Sequence, residues 1–154
     1  MSRLLADGLP DSIRAELQSP APQLVAVPLL TVDDDGFPNV ALLSYFELGL
    51  ADDSCYFWLY SPSSSTRCLQ ARSVCTLIFA SPDGIFYVKG NTTRVLEIDG
   101  QRVFNLVLHK VFEDLPSPAE GDAALLSGLQ FQLPEAVIAE KVALKSRVLR
   151  LVQP

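Results

Sequence analysis

The run Cys55-Tyr-Phe-Trp-Leu-Tyr60 is apolar at every position, where a half-buried strand would alternate apolar with polar. A strand of this kind has no face left for water. Helices flanking a parallel sheet can bury both faces, but the chain carries hairpin signals instead. These are Asp33-Asp-Asp-Gly-Phe-Pro38, Ser81-Pro-Asp-Gly84 and Asp99-Gly100, built from residues that supply left-handed or fixed backbone angles. The sheet is therefore expected to be antiparallel. The second face of residues 55–60 is then expected to meet another subunit or the closed interior of a barrel.

The flanking segments fill in that frame. Residues 11–18, after Pro10 and before Pro20 and Pro22, read as a short helix with an acidic start. Residues 23–32 and 39–48 read as two strands joined by the Asp-rich turn, and 74–80 as another. Residues 85–98 form a long strand expected to bend at Gly90, since a glycine inside a strand marks a bulge or bend. The apolar segment 103–115 fits a strand and also a helix; the preceding Asp-Gly favours the strand. Residues 61–72, rich in Ser and Thr, read as a loop feeding a short helix. Beyond Pro116 two helices are expected, over 119–132 and from Pro134 onward, the second opening with Pro and acid and gaining bases. Its stripe of Val137, Ile138, Val142, Leu144, Val148 and Leu149 is wide enough to pack on a barrel.

Length and charge narrow the possible functions. With 154 residues, 49% of them hydrophobic, the chain is expected to form a single domain over 1–154, with a barrel core over about 23–115 and C-terminal helices over about 119–150. The net charge of -6 disfavours nucleic acid as a partner. No apolar stretch approaches the roughly 18 to 20 residues that cross a bilayer, so no membrane partner is expected. The N-terminus lacks a signal-peptide core, which points to the cytoplasm. The three cysteines, Cys55, Cys68 and Cys75, show no metal-type spacing and read as reduced, packing thiols. His109 has no nucleophile or carboxylate implied by spacing, and Asp33 to Asp35 lack the register of a calcium loop. No metal site and no catalytic side chain is expected.

Three passages resemble the FMN-binding split-barrel superfamily, the group around pyridoxamine 5'-phosphate oxidase. They are Leu29-Leu-Thr-Val-Asp-Asp-Asp-Gly-Phe-Pro-Asn-Val40 followed by Ser44-Tyr45, then Ser63-Ser-Ser-Thr-Arg-Cys-Leu-Gln-Ala-Arg-Ser-Val-Cys-Thr-Leu77, and Phe86-Tyr-Val-Lys-Gly90. The resemblance implies a mainly β fold, a split barrel of about six antiparallel strands with an N-terminal helix, a short inter-strand helix and C-terminal helices. It implies a homodimer with FMN in a groove at the subunit interface, and a small-molecule ligand beside the flavin.

The cofactor-binding residues the resemblance implies are Ser44 and Tyr45 against the ring, and Ser61, Ser63, Ser64, Ser65, Thr66 and Arg67 around the phosphate. Where that family places Lys or Arg just after the loop serine, this chain has Ser64 and Ser65, and where it has Asn, this chain has Cys68. The hydroxyl run at a helix start can hold an anion without lysine. Two functions are compatible with this: an FMN-dependent oxidoreductase of a small molecule, and a non-catalytic split-barrel binding protein that has lost tight FMN binding.

Overall fold

The computed structural model describes residues 1–5, 8–123, 125 and 127–153. It forms one antiparallel sheet of eight strands: β1 (Ser2–Leu5), β2 (Val27–Val32), β3 (Pro38–Leu43), β4 (Leu48–Ala51), β5 (Ser54–Tyr60), β6 (Val74–Ser81), β7 (Gly84–Ile98) and β8 (Gln101–Asp114). Three α-helices accompany it among the described residues: α1 (Asp11–Gln18), α2 (Ser64–Ala71) and α3 (Glu135–Val152). The strand order is β3-β2-β6-β7-β8-β5-β4, with β1 added to β8. The chain is thus mainly β, a split barrel with peripheral helices.

The turns form where their chemistry demands. Ile98 pairs with Gln101, and the two residues between them, Asp99 and Gly100, both have positive φ (49° and 73°), the two-residue turn that Asp-Gly favours. The bend expected at Gly90 is a register shift in the β7–β8 ladder between Lys89 and Gly90. A Cβ at Gly90 would lie 2.6 Å from the Val107 carbonyl oxygen, so only glycine fits the approach.

Alternate residues of β2 point inward, and the barrel core gathers Val27, Leu29, Phe57, Leu77, Phe79, Val88 and Phe104, closed at one end by Ile13 and Leu17 of α1. The second face of β5 differs from expectation. Cys55, Phe57 and Leu59 enter the barrel core, while Tyr56 and Trp58 join Ala51, Val103 and Val148 in a second cluster beneath α3. The chain's own C-terminal helix, not a second subunit, covers that face. A connection of some twenty residues after β8 carries α3 back across β4, β5 and β8, something the local pattern of 55–60 does not encode.

Two further expectations are corrected. Residues 39–48 are not one strand: β3 ends at Leu43 and β4 starts at Leu48, which with β1 raises the count from about six to eight. The helix expected over 119–132 is, among the described residues, a single 3-10 turn (Pro118–Glu120) with an isolated β-bridge from Gln130 to Val25 further on; Ala124 and Leu126, in the same expectation, lie outside the described residues. Leu129 O accepts from Ala26 N, and Phe131 N donates to Leu24 O, both at 2.7 Å. Gly128 allows this contact, since a Cβ there would lie 3.0 Å from Val25. Pairing with another segment overrides the weak helix propensity of a stretch carrying Gly121 and Gly128. Among the described residues no helix is long and apolar enough to cross a membrane.

The seating of α3 is close enough to test. A Cβ on Gly49 of β4 would come within 2.8 Å of Leu149 on α3. Gly49→Val is expected to destabilise the fold by about 1–3 kcal/mol through overpacking, with part of the loss recovered when Leu149→Ala is added. Urea denaturation measures both, and an unchanged midpoint in Gly49→Val would mean that Leu149 swings aside freely.

Candidate functional site

β3 and β4 stand at the two ends of the main strand order, because among the described residues β3 pairs only with β2 and β4 only with β5. The chain crosses between these ends in four residues, Ser44 to Glu47. Glu47 holds that crossing together: its carboxylate accepts from the Ser44 N–H at 2.9 Å and from the Ser44 hydroxyl, while Glu47 N donates to Ser44 O. Its carbonyl accepts from Trp58 N at 3.1 Å. The same carboxylate forms an ion pair with Lys141 of α3. The Ser44-x-x-Glu47 spacing, which pairs a hydroxyl with a carboxylate three residues on, was the sequence signal for this turn.

Beside the crossing lies a cavity of about 380 Å³. One wall is the free edge of β3 at residues 40–43, whose outer backbone groups have no strand partner. A second is the end of β5, residues 58–60, with Gln101. The start of α2 supplies Ser63, Ser64 and Ser65, and α3 supplies Val137, Glu140, Lys141 and Leu144. The site is therefore an apolar slot with the α2 serines in its wall and a charged group formed by Glu47, Glu140 and Lys141. A larger cavity of about 530 Å³ lies near the β6–β7 turn; of its three carboxylates, Asp114 is engaged with Tyr87 and the amino terminus and Glu120 with Ser117 and the amino terminus, while Asp83 stands at the turn itself.

The α2 corner is ordered by the hydroxyl run. Ser63 caps α2, accepting from Thr66 N at 3.1 Å, and Thr66 donates its hydroxyl to Tyr60 O at 2.7 Å. Asn39 donates from Nδ2 to Ser65 Oγ at 2.9 Å and accepts from the Ser64 hydroxyl at 3.3 Å. The first-turn N–H groups of Ser64 and Ser65 are the orphan donors of a helix start.

The expected site residues thus divide. Ser63, Ser64 and Ser65 line the cavity. Thr66 is fully buried and serves the cap. Ser61 is tied to Glu97 on β7 at 2.7 Å, and Arg67 is exposed beside the Pro62 carbonyl; neither lines the cavity. Ser44 and Tyr45 sit in the crossing rather than on a strand, and both are buried. The Tyr45 side chain belongs to the barrel core, 6.0 Å from the Phe79 ring, with a hydroxyl that has no hydrogen-bond partner among the described residues. Burial, and secondarily Glu16, raises its pKa. Asn39, Glu47 and Lys141 were missed. Lys141 had no local signal at all, since it stands 94 residues from its partner.

No protein-family model and no curated protein matches the chain. Solved structures do. A Lactobacillus delbrueckii protein, provisionally described as a pyridoxamine 5'-phosphate oxidase, aligns with a TM-score of 0.56 at 19% identity, covering 72% of this chain and 98% of its own. An F420 reductase aligns with a TM-score of 0.51 at 13% identity over 67% of this chain and 98% of its own. The haem storage protein HutZ of Vibrio cholerae aligns with a TM-score of 0.50 at 12% identity over 68% and 93%.

Tyr45 tests the division between core and site. An unpaired buried hydroxyl costs about 1–3 kcal/mol, so Tyr45→Phe is expected to leave stability unchanged or raise it by about 1 kcal/mol, with the cavity walls intact. Thermal unfolding measures it, and a clear loss would mean that the hydroxyl has a partner. By its sheet architecture and its likeness to these solved structures, the chain has a split-barrel fold.

Proposed function

We propose that the chain is an FMN-binding flavoprotein of the pyridoxamine 5'-phosphate oxidase-like kind, with the flavin in the cavity at the split and an oxidoreductase activity on a small molecule. The observation that carries this reading is the joining, in one cavity, of three things a flavin nucleotide needs. The helix start offers the Ser64 and Ser65 N–H groups and the Ser65 hydroxyl as donors for a phosphate. Leu42, Leu43, Trp58 and Leu144 offer apolar walls for a planar ring, and the unpaired edge of β3 offers backbone donors and acceptors for its polar rim. The residues present fit the group.

When bound, the flavin supplies the redox chemistry, and the chain's task is to orient it and exclude water. α3 does the excluding, because Val137 and Leu144 cover the side of the cavity away from β3. Ser64 and Ser65 fix the phosphate end, with Asn39 holding their hydroxyls in place. The reading includes a homodimer: Val40 and Leu42 of the edge strand are 57% and 49% exposed beside the cavity, and a second copy seated there covers both. Analytical ultracentrifugation is expected to give the mass of a dimer, and Val40→Glu that of a monomer.

One observation favours the non-catalytic alternative. Lys141 is the only basic residue lining the cavity among the described residues, and it is already paired with Glu47. Phosphate binding therefore rests on neutral donors, and weak flavin affinity follows. Titration of the protein with FMN and with riboflavin, followed by flavin fluorescence, separates the readings. FMN is expected to bind more tightly than riboflavin. Ser64→Glu, which adds a carboxylate at an exposed helix start, is expected to weaken FMN by about tenfold or more while leaving riboflavin unchanged. Equal loss of both would remove the phosphate from this corner, and no binding of either would favour a barrel that holds another ligand.

A further inference from the structure

A second cavity, of about 310 Å³, lies on the other side of α3's contact with the barrel, between the end of α1, the proline-rich segment after it and α3. Its walls are mostly apolar, among them Leu17, Pro20, Phe46, Leu50 and Leu149, and the one charged residue lining it is Lys145. The Lys145 Nζ donates to the backbone carbonyls of Leu17 at 2.9 Å and Tyr45 at 2.7 Å. An ammonium has three donors, and among the described residues the third has no acceptor, nor does Lys145 form an ion pair.

Two neighbouring carboxylates contribute to the field at Lys145, but neither forms an ion pair with its ammonium. Glu47 is held by Ser44 and Lys141, and Glu16 accepts from Gln23 N at 3.0 Å. A half-buried ammonium fixed by two neutral carbonyls at the wall of an apolar cavity lacks only an anion. We propose that this cavity is a binding site for an aliphatic carboxylate, with its headgroup on the Lys145 ammonium and its hydrocarbon against the Leu17, Pro20 and Leu149 walls. Ser146 lines the same cavity. The site shares no charged residue with the cavity at the split.

Burial pushes the Lys145 pKa down to about 8, against the opposing fields of Cys55 on β5, Glu47 in the crossing and Glu16 on α1. Carboxylate affinity is therefore expected to fall as pH rises through about 8, where the amine loses its charge. The test is calorimetric titration with octanoate, with 1-octanol as the uncharged probe. Octanoate is expected to bind one per chain, about tenfold or more tighter than octanol, the weight of a charge-assisted contact. Lys145→Met is expected to remove that difference and leave octanol binding intact. Octanoate no tighter than octanol, an unaltered octanoate affinity in Lys145→Met, or its loss in Lys141→Gln instead, would overturn the proposal. Should Lys145→Met fail to fold, the wild-type pH profile decides: an octanoate affinity flat across pH about 8 would overturn it equally.

Discussion

The double burial of β5 is the constraint on which the rest of the structure depends. An antiparallel sheet can leave one face to water, but here Tyr56 and Trp58 on the outer face are as buried as Phe57 on the inner one. Full burial of a side chain such as Trp58 contributes on the order of 2–3 kcal/mol or more, so the sequence of β5 is committed to an outer layer. α3 is that layer. Its apolar stripe of Leu144, Val148, Leu149 and Val152 closes over Trp58, and Gly49 gives Leu149 room to approach. The helix that completes the fold is also the helix that walls the cavity, so stability and site formation are one event here.

Glu47 links the two. In the four residues that carry the chain from one end of the strand order to the other, its backbone carbonyl fixes Trp58 and its carboxylate fixes both Ser44 and Lys141. Lys141 and Glu47 are each only partly exposed, and a pair so placed is worth more as geometry than as Coulomb energy, because desolvation offsets much of the attraction. Its effect is to hold α3 in one register against the crossing. The cavity inherits its shape from that register.

Much of this was legible in the sequence where the signal is local. The Asp99-Gly100 turn, the bend at Gly90, the cap at Ser63 and the helices at 11–18 and from Pro134 onward all follow from residues acting on their own backbone. What the sequence hid was long-range. That Trp58 meets α3 and not another molecule depends on contacts some ninety residues away. The course of residues 129–131 depends on pairing with residues 24–26, and β1 on an open edge of β8. For the site, the hydroxyl cluster was readable because helix starts have a composition. The division of its members between cap, corner and solvent was not, since it is decided by which way each hydroxyl turns. Tyr45 shows the same limit: its place in the chain pointed toward the cofactor, but a turn at Ser44 sends its ring into the core.

The two lysines of α3 stand one helical turn apart and face the barrel together, yet they meet opposite surroundings. Lys141 finds a carboxylate and so adds little free charge to the cavity it lines. Lys145 hydrogen-bonds only to carbonyls and forms no ion pair among the described residues. Phe46 lies between these environments and lines both cavities. An occupant that moves the Phe46 ring from one side therefore reshapes the wall of the other. A chain of this size has room for few such partitions, and this one hangs on the crossing that Glu47 holds.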